Sequence, residues 1–162
     1  MRKKTIPPRE ELLRLVGQDM GRAIATRNVL FNQAVADHLG INTTDLRCLD
    51  VLDRHKEEPM TPSKLAELTG LSSGAVTDVI DRLERAGFVK RERSTADRRS
   101  VLLRLTPAHA QRVAPLFDGI QAAMAELAAS YSDAELAVIH DFLSRSMEIA
   151  RSEADKLRNQ KP

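Results

Sequence analysis

Residues that can hydrogen-bond to a nucleic acid are concentrated between Ser72 and Arg104. Small and polar side chains, which can come close to a base edge, occur in the first part of this stretch, and arginines are frequent in the second. From Asp81 to Arg104 there are eight basic residues against four acidic ones, a local balance of +4, whereas the whole chain carries +2. A basic cluster beside small polar residues favours binding to a polyanion such as DNA.

A helix is predicted for the first part, over residues 73–86. Ser72 stands before it as a candidate N-cap, and Gly87 follows it, where a left-handed residue can end a helix without a Cβ penalty. One face is apolar, because residues at spacings of four and three lie on the same side of a helix. These apolar residues are Val76, Ile80 and Leu83.

The other face of this helix is small or polar and suits a DNA major groove. An ordinary amphipathic helix with a solvated outer face has the same pattern, so the helix does not identify DNA binding by itself. The residues that we predict to contact DNA from the helix and its cap are Ser72, Ser73, Gly74, Thr77, Asp78 and Arg82.

Two short strands are predicted after the helix, over residues 88–93 and 100–105. In the second strand Val101, Leu103 and Leu105 occupy alternate positions and share one face. A helix followed by a basic hairpin is the order of elements in a winged helix-turn-helix. There the helix, called the recognition helix, reads the major groove, and the hairpin, called the wing, supplies further grip on the DNA.

Two further helices are predicted before the recognition helix, and the second of them completes the helix-turn-helix. The first begins with Asn42 as cap and Asp45 in an approximate capping box, and the second begins at Thr61-Pro62 and ends at Gly70. Hydroxyls, a lysine and free N–H groups at the start of the second helix can hold a phosphate, although capping alone would explain the threonine. The predicted phosphate contacts are Thr61, Ser63 and Lys64.

Taken in order, these segments resemble the multiple antibiotic resistance regulator (MarR) family of winged-helix regulators, and the resemblance extends over nearly the whole chain. It implies a mainly α fold with a small β-hairpin wing and long N- and C-terminal dimerisation helices. It also implies a homodimer that binds double-stranded DNA at an inverted repeat and regulates transcription, by default as a repressor. The matching segments are Leu71-Ser72, Val76-Thr77, Asp81-Arg82-Leu83-Glu84, Gly87-Phe88-Val89, Asp97-Arg98-Arg99 and Val101-Leu102-Leu103-Arg104-Leu105-Thr106-Pro107.

The loop of the predicted wing contains Asp97, Arg98 and Arg99. Asp97 and Arg99 are two residues apart, so in extended backbone their side chains lie on the same side and can pair. Asp97 would then aim Arg99 at the minor groove, where negative potential is concentrated, and the family resemblance implies the same role. A surface ion pair without a role in binding is the competing interpretation.

Two residues depart from the family pattern. Asp78 stands where a basic residue is common, on the face assigned to the groove. Its carboxylate repels phosphates, but it can accept a hydrogen bond from a cytosine amino group or pair with an arginine. His109 stands where a glycine is common early in the helix after the wing, and we expect only local consequences.

Long amphipathic helices are predicted on both sides of the winged region, which covers residues 42–105. They cover residues 9–39 and 107–158, and the second range contains two helices separated by a capping box at Ser132 and Glu135. Their apolar stripes exceed what one small winged domain can cover. We therefore predict an obligate homodimer in which the terminal helices of both subunits pack together.

Length and composition favour one mainly helical unit over residues 1–162. Charged residues make up 30% and aromatic residues 3%, which favours helices over a β-sandwich. The start Met-Arg-Lys-Lys leads to Pro7-Pro8 rather than to an apolar signal core, and no apolar run is long enough to cross a membrane. We expect a cytoplasmic protein without a membrane partner, and one cysteine excludes an intrachain disulfide.

The resemblance also implies a small-molecule effector, aromatic or phenolic and often anionic, held between the dimerisation helices and the winged domain. Such a ligand releases DNA only if it prefers a dimer with the wrong distance between the recognition helices. The candidate lining residues are Arg14, Phe31 and His38.

Other functions are weaker alternatives. Cys48 allows a redox sensor, but it lies mid-helix between leucines, where a thiol is usually inert. No cofactor is predicted, and no nucleophile elbow, glycine-rich phosphate loop or metalloprotease motif indicates an enzyme. A helical dimer that binds a ligand or protein but not DNA stays open, favoured by Asp78. No metal site is expected from four isolated histidines, which we place at the surface or at helix ends: His38, His55, His109 and His140.

Overall fold

The computed structural model describes residues 6–93 and 100–160 of the chain. It divides the chain into two compact parts, Met1–Leu116 and Phe117–Pro162. The mainly α fold with a small β-hairpin, expected from the sequence, is confirmed. Among the described residues, no helix is long and apolar enough to cross a membrane.

The N-terminal region is helical from residue 9 to residue 39, as predicted, but it is not one regular α-helix. It consists of α1 (Arg9–Arg14), a π-helical segment (Leu15–Met20) and α2 (Gly21–Leu39). The wider turns of a π-helix leave no signal in the apolar spacing, so the sequence could not indicate them. Gly40 ends α2 with a φ of 69°, a left-handed conformation that costs a glycine little.

Three helices form the helix-turn-helix region: α3 (Thr43–Arg54), α4 (Pro62–Thr69) and α5 (Ser73–Arg85). Each begins with the predicted cap, whose side-chain oxygen accepts a hydrogen bond from a backbone N–H three residues later. The cap oxygens belong to Asn42, Thr61 and Ser72, at distances of 2.8, 3.2 and 3.2 Å from the nitrogens of Asp45, Lys64 and Ala75.

The core of this region is formed by the apolar faces of these helices. The buried residues on α5 lie at the predicted spacing, and leucines of α3 and α4 are buried with them. Burying such side chains is the main favourable term in folding. The buried residues are Val76, Val79, Ile80 and Leu83 on α5, Leu46, Leu49 and Leu52 on α3, and Leu65 on α4.

The wing is an antiparallel pair, β1 (Val89–Arg93) and β2 (Val101–Leu105), with Val89 opposite Leu105 and Arg93 opposite Val101. Both predicted strands are confirmed to within one residue. A further contact was not predicted: the backbone N–H of Leu103 donates to the carbonyl oxygen of Met60 at 2.8 Å. This bond attaches the wing to the segment before α4, and a single backbone pairing leaves no mark in the sequence pattern.

The helix predicted directly after the wing is divided into α6 (Pro107–Arg112) and α7 (Pro115–Ala129). The prediction of one continuous helix was wrong because Pro115 has no backbone N–H to continue the helical hydrogen bonds. Thr106, the residue before α6, makes no capping hydrogen bond, and its hydroxyl instead donates to the carbonyl oxygen of Gly87 at 2.5 Å. His109, expected at the surface or a helix end, is buried, and its burial lowers the pKa of the imidazole.

The second part of the chain contains most of α7 and the last helix, α8 (Asp133–Asn159). The predicted capping box at the start of α8 is confirmed, since the N–H of Ser132 donates to a carboxylate oxygen of Glu135 at 2.8 Å. No described residue of α7 or α8 is buried. Large apolar side chains are exposed on both helices: Ile120, Met124, Leu127, Val138, Ile139, Phe142, Leu143, Met147, Ile149 and Leu157.

Candidate nucleic-acid interface

The outer face of α5 presents the small and polar residues that the sequence indicated. Ser73, Gly74, Thr77 and Asp78 are all exposed, and we call these four residues the groove face. The hydroxyl of Thr77 donates to the carbonyl oxygen of Ser73 at 3.0 Å, so its proton is already engaged within the helix. Because the opposite side of α5 is buried, the groove face lies on the solvent side of the helix.

The N-terminus of α5 adds backbone donors to this face. Ser72 is exposed, and its hydroxyl oxygen accepts the N–H of Ala75. The first N–H groups of a helix carry partial positive charge and suit a phosphate oxygen. The structure therefore shows Ser72 as the cap of α5. This role is compatible with the predicted DNA contact, but capping alone explains the position of the serine.

The three residues predicted to contact phosphates at the start of α4 have different interactions within the chain. Thr61 caps the helix, and Ser63 is exposed. The ammonium of Lys64 lies 2.5 Å from a carboxylate oxygen of Glu58, and this bond lowers the pKa of the Glu58 carboxyl. Lys64 must therefore exchange or share this partner to bind a phosphate.

Arg82 has an intramolecular partner that sequence reasoning missed. Its guanidinium binds the carboxylate of Asp45 on α3, with Nη2 to Oδ1 at 2.7 Å and Nε to Oδ2 at 3.0 Å. The capping box predicted for Asn42 and Asp45 is consequently half formed, because the Asp45 carboxylate is bound to Arg82 and not to the backbone of Asn42. The two residues lie 37 positions apart, so only the tertiary fold brings them together.

Asp78, the departure from the family pattern, is exposed within the groove face. The pKa of Arg82 is raised mainly by the hydrogen bonds that its guanidinium donates to the Asp45 carboxylate, and the negative charge of Asp78 adds to this effect. The groove face therefore contains a negative charge one helical turn before Arg82.

The wing is attached to the recognition helix by Arg91 of β1. Its guanidinium binds the carboxylates of Asp81 and Glu84 on α5, and its backbone N–H donates to Glu84 Oε1 at 3.1 Å. The hydrogen bond that the Arg91 guanidinium donates to Asp81 is the main cause of the raised pKa of Arg91. Two acidic residues three positions apart within a basic stretch were the sequence signal for this contact. Asp97, Arg98 and Arg99 lie outside the described residues, and their predicted DNA contacts stay predictions.

The candidate effector residues do not form one group within the chain. Arg14 is ion-paired with Asp19, His38 is exposed on α2, and Phe31 is partly buried on α2. Arg14 and Phe31 are 17 residues apart along helical backbone, which is roughly 25 Å. A cavity of about 340 Å³ lies elsewhere in the described part of the chain, lined by Gly40, Ile41, Asn42, Asp45, Arg82, Arg85 and Ala86.

Cys48 is buried in α3, and this burial raises the pKa of its thiol to about 11. Only a thiolate is a good nucleophile, so this environment suppresses its reaction with oxidants. Over residues 6–93 and 100–160, no group of three or more histidine, cysteine, aspartate or glutamate side chains is arranged to hold a metal ion.

Comparison with known proteins relates this fold to transcription regulators. The model of the MarR family matches residues 41–101. The chain is 38% identical over 137 residues to the HTH-type transcriptional regulator YcgE of Bacillus subtilis, which covers 85% of this chain and 88% of that protein. This similarity extends beyond the winged region into the terminal helices.

Solved structures share the fold at lower sequence identity. A Q18P mutant of MepR from Staphylococcus aureus aligns with a TM-score of 0.68 and 17% identity, over 81% of this chain and 94% of that one. The S. aureus MepR–DNA complex aligns with a TM-score of 0.59 and 17% identity, over 80% of this chain and 96% of that one. These two alignments support the fold, whereas the match to YcgE carries the family relationship.

Proposed function

Because the chain belongs to the MarR family of transcriptional regulators, we propose that it binds an inverted-repeat operator as a homodimer, represses transcription there, and is released by a small ligand. Members of this family are DNA-binding regulators and not enzymes. The observation that carries the proposal is the groove face of α5, exposed on a helix whose other side is buried. MepR, which shares the fold of this chain, has been solved in complex with DNA.

The wing supports this proposal through its attachment to α5. Arg91 connects β1 to Asp81 and Glu84, so the wing and the recognition helix are held together. With α5 in the major groove, the contacts predicted from the sequence for Arg98 and Arg99 would be made in the minor groove, where arginines are favoured. Lys64, once it exchanges or shares Glu58, would add a phosphate contact at the start of α4.

A homodimer is supported by the apolar side chains that the terminal helices leave exposed. Residues such as Met20 and Ile24 on the N-terminal helices, and Phe142 and Met147 on α8, are between 45% and 67% exposed. Apolar surface of this extent marks a protein interface. A two-fold dimer would set two recognition helices about one DNA turn apart, roughly 34 Å, which favours an inverted repeat. In this dimer both parts of the chain act as one regulator unit.

Release by a ligand requires an effector pocket in the dimer. The family resemblance suggests a small aromatic or phenolic effector near Arg14, Phe31 and His38. Since Arg14 and Phe31 are far apart along one chain, a pocket containing both requires residues from two subunits. Such a ligand weakens operator binding only by stabilising a dimer whose recognition helices have the wrong spacing.

Selection from a pool of random duplexes tests the proposed function. The purified protein is mixed with the pool at moderate salt, bound duplexes are amplified, and affinities for the selected sequence are measured for the parent and for Arg98→Ala with Arg99→Ala. The matched control is Arg145→Ala with Arg151→Ala on α8, which removes the same charge away from the proposed interface. We expect an inverted repeat, and a loss of affinity on every duplex for the wing variant but not for the control.

The salt dependence adds a second readout. The slope of log K against log[salt] is negative, and each lost phosphate contact reduces its magnitude by about 0.9. If no sequence is enriched and all three proteins behave alike, the chain is a helical dimer that binds a ligand or a protein instead, as the charge of Asp78 in the groove face would favour.

A further inference from the structure

The recognition helix is connected to α3 by an ion pair whose carboxylate is almost completely buried. Asp45 is 1% exposed, and Arg82 reaches it from α5 with its side chain 37% exposed. The contact is bidentate: Nη2 donates to Oδ1 at 2.7 Å, and Nε lies 3.0 Å from Oδ2 and 3.2 Å from Oδ1. Both carboxylate oxygens are therefore bound by one planar fork, which is a geometrically demanding arrangement.

This arrangement commits the guanidinium of Arg82 to the buried carboxylate of Asp45. Removing its guanidinium would leave a buried carboxylate with one partner fewer, which is costly. Asp45 is also the third residue of α3, where the positive end of the helix dipole favours a carboxylate. The charge of Arg82 is therefore largely balanced within the protein and contributes little to attraction for a phosphate.

The ion pair also differs from the apolar contacts between α3 and α5, because its hydrogen bonds form only in a narrow range of orientations. Apolar residues such as Leu49 and Ile80 hold the helices together, but hydrophobic burial is non-directional and permits small rotations. A planar fork bound to two oxygens restrains rotation of α5 about its own axis. That rotation determines which side chains of the groove face point toward base edges.

We propose that Arg82 is a positioning residue, whose bond to Asp45 fixes the rotation of the recognition helix and thereby sets sequence preference. This inference rests on the proposed DNA binding. It replaces the role predicted from sequence, in which Arg82 contacts DNA directly. The two roles predict opposite effects of removing the charge of Asp45.

The test compares five variants: Asp45→Asn, Arg82→Gln, Arg82→Lys, the double variant with Asp45→Asn and Arg82→Gln, and the control Asp50→Asn. Asp50 is an exposed carboxylate of α3 that pairs with Arg54 at 3.0 Å, so its substitution removes the same charge from the same helix. Affinities for the selected operator and for a scrambled duplex are measured by fluorescence anisotropy at several salt concentrations, and thermal unfolding reports whether each variant is folded.

If Arg82 positions the helix, Asp45→Asn and Arg82→Gln each lower the ratio of operator to scrambled affinity by about tenfold, the scale of one well-placed base contact. The double variant loses no more than the single ones, because both remove the same interaction. Arg82→Lys fails to restore the ratio, since an ammonium lacks the fork. The salt slope stays equal to that of Asp50→Asn.

The opposite pattern overturns the inference. If Arg82 contacts a phosphate, the substitution Asp45→Asn frees the guanidinium. The Asp45→Asn variant then binds both duplexes at least as tightly as the Asp50→Asn control does. The Arg82→Gln variant then loses the same affinity for both duplexes, and the magnitude of its slope of log K against log[salt] falls by about 0.9. The Arg82→Lys variant keeps the parent affinity, because its ammonium still contacts the phosphate.

A measurement without DNA separates this inference from the proposed function. Spin labels at Thr77→Cys on α5 and Asp50→Cys on α3, in a Cys48→Ala background, report the distance between the two helices by electron spin resonance. Both labelled positions are exposed. We expect Asp45→Asn to broaden or shift the distance distribution, even if no operator is found. An unchanged distribution in a folded variant would show that apolar packing alone fixes the helix.

Discussion

At the scale of single residues, the partner of a side chain decides its role more than its chemical type does. Arg82 and Lys64 are both basic residues near the proposed interface, yet each is bound to a carboxylate within the chain. Cys48 is a potential redox centre by type, but its burial in α3 raises the pKa of its thiol to about 11. These environments follow from the packing of α3, α4 and α5 and not from neighbouring sequence.

The first prediction concerns the reactivity of Cys48. At pH 8 roughly one thiol in a thousand is ionised when its pKa is about 11, so we expect negligible reaction with peroxide or with a thiol reagent while the protein is folded. Operator affinity should be equal before and after peroxide treatment, for the parent and for Cys48→Ala. A peroxide effect that disappears in Cys48→Ala would instead establish a redox sensor.

The same pKa shift predicts a dependence of stability on pH. From about pH 9 to pH 11 the thiol of the unfolded chain loses its proton while the folded chain keeps it, so the free energy of unfolding falls as pH rises. The part due to Cys48 is about 3 kcal/mol for a shift of two pKa units. Chemical unfolding of the parent and of Cys48→Ala at each pH measures this contribution. The free energy of unfolding of Cys48→Ala should fall less between pH 9 and pH 11, because the variant has no thiol to ionise.

At the scale of elements, the junction between α5 and the wing determines where the hairpin lies. Gly87 follows α5 with a φ of 78°, which allows the chain to turn directly into β1. Its carbonyl oxygen accepts the hydroxyl of Thr106, and Arg91 binds Asp81 and Glu84 of α5. The recognition helix and the wing are thereby connected at the end of α5, in the middle of β1 and directly after β2.

The second prediction compares two glycines of this region. A Cβ added at Gly87 or at Gly74 would meet no other atom within 4 Å, so steric clashes do not distinguish them. Gly87→Ala should lower the free energy of unfolding by about 1 to 2 kcal/mol, because an L-residue is strained at positive φ. Gly74→Ala, within α5, should raise it by about 0.5 to 1 kcal/mol. Urea unfolding measures both, and equal effects would contradict the backbone explanation.

At the scale of the whole molecule, the distribution of apolar side chains indicates an incomplete assembly. The helix-turn-helix region buries its leucines and valines, whereas no described residue of α7 or α8 is buried. On α8, Leu143 is 49% and Met147 67% exposed, and they are four positions apart on one helical face. A second copy of the chain is the partner that the family relationship suggests.

The third prediction tests this assembly. Leu143→Asp should introduce a charge into the proposed dimer interface and shift the mass measured by light scattering toward the 18.0 kDa of one chain. The control is Arg145→Asp, two positions further on, which points to nearly the opposite side of α8. We expect this variant to keep twice the mass. A parent protein that is monomeric at micromolar concentration would contradict the homodimer.

The sequence alone determined the features that depend on local spacing. Caps at Asn42, Thr61 and Ser72, the left-handed end of α5 and both wing strands follow from residues within four positions of one another. The groove face was predicted in the same way, since helical periodicity assigns each side chain to a face. The family motif, read in order, then indicated the winged fold.

Only the tertiary structure decided which distant groups meet. Three features depend on residues far apart in the chain. They are the bond from Arg82 to Asp45, the pairing of Leu103 with Met60 and the burial of His109. Such contacts depend on how helices pack, and many sequences with the same periodicity pack differently. The periodicity therefore revealed which face α5 presents, whereas packing decided which of its charges remain available to DNA.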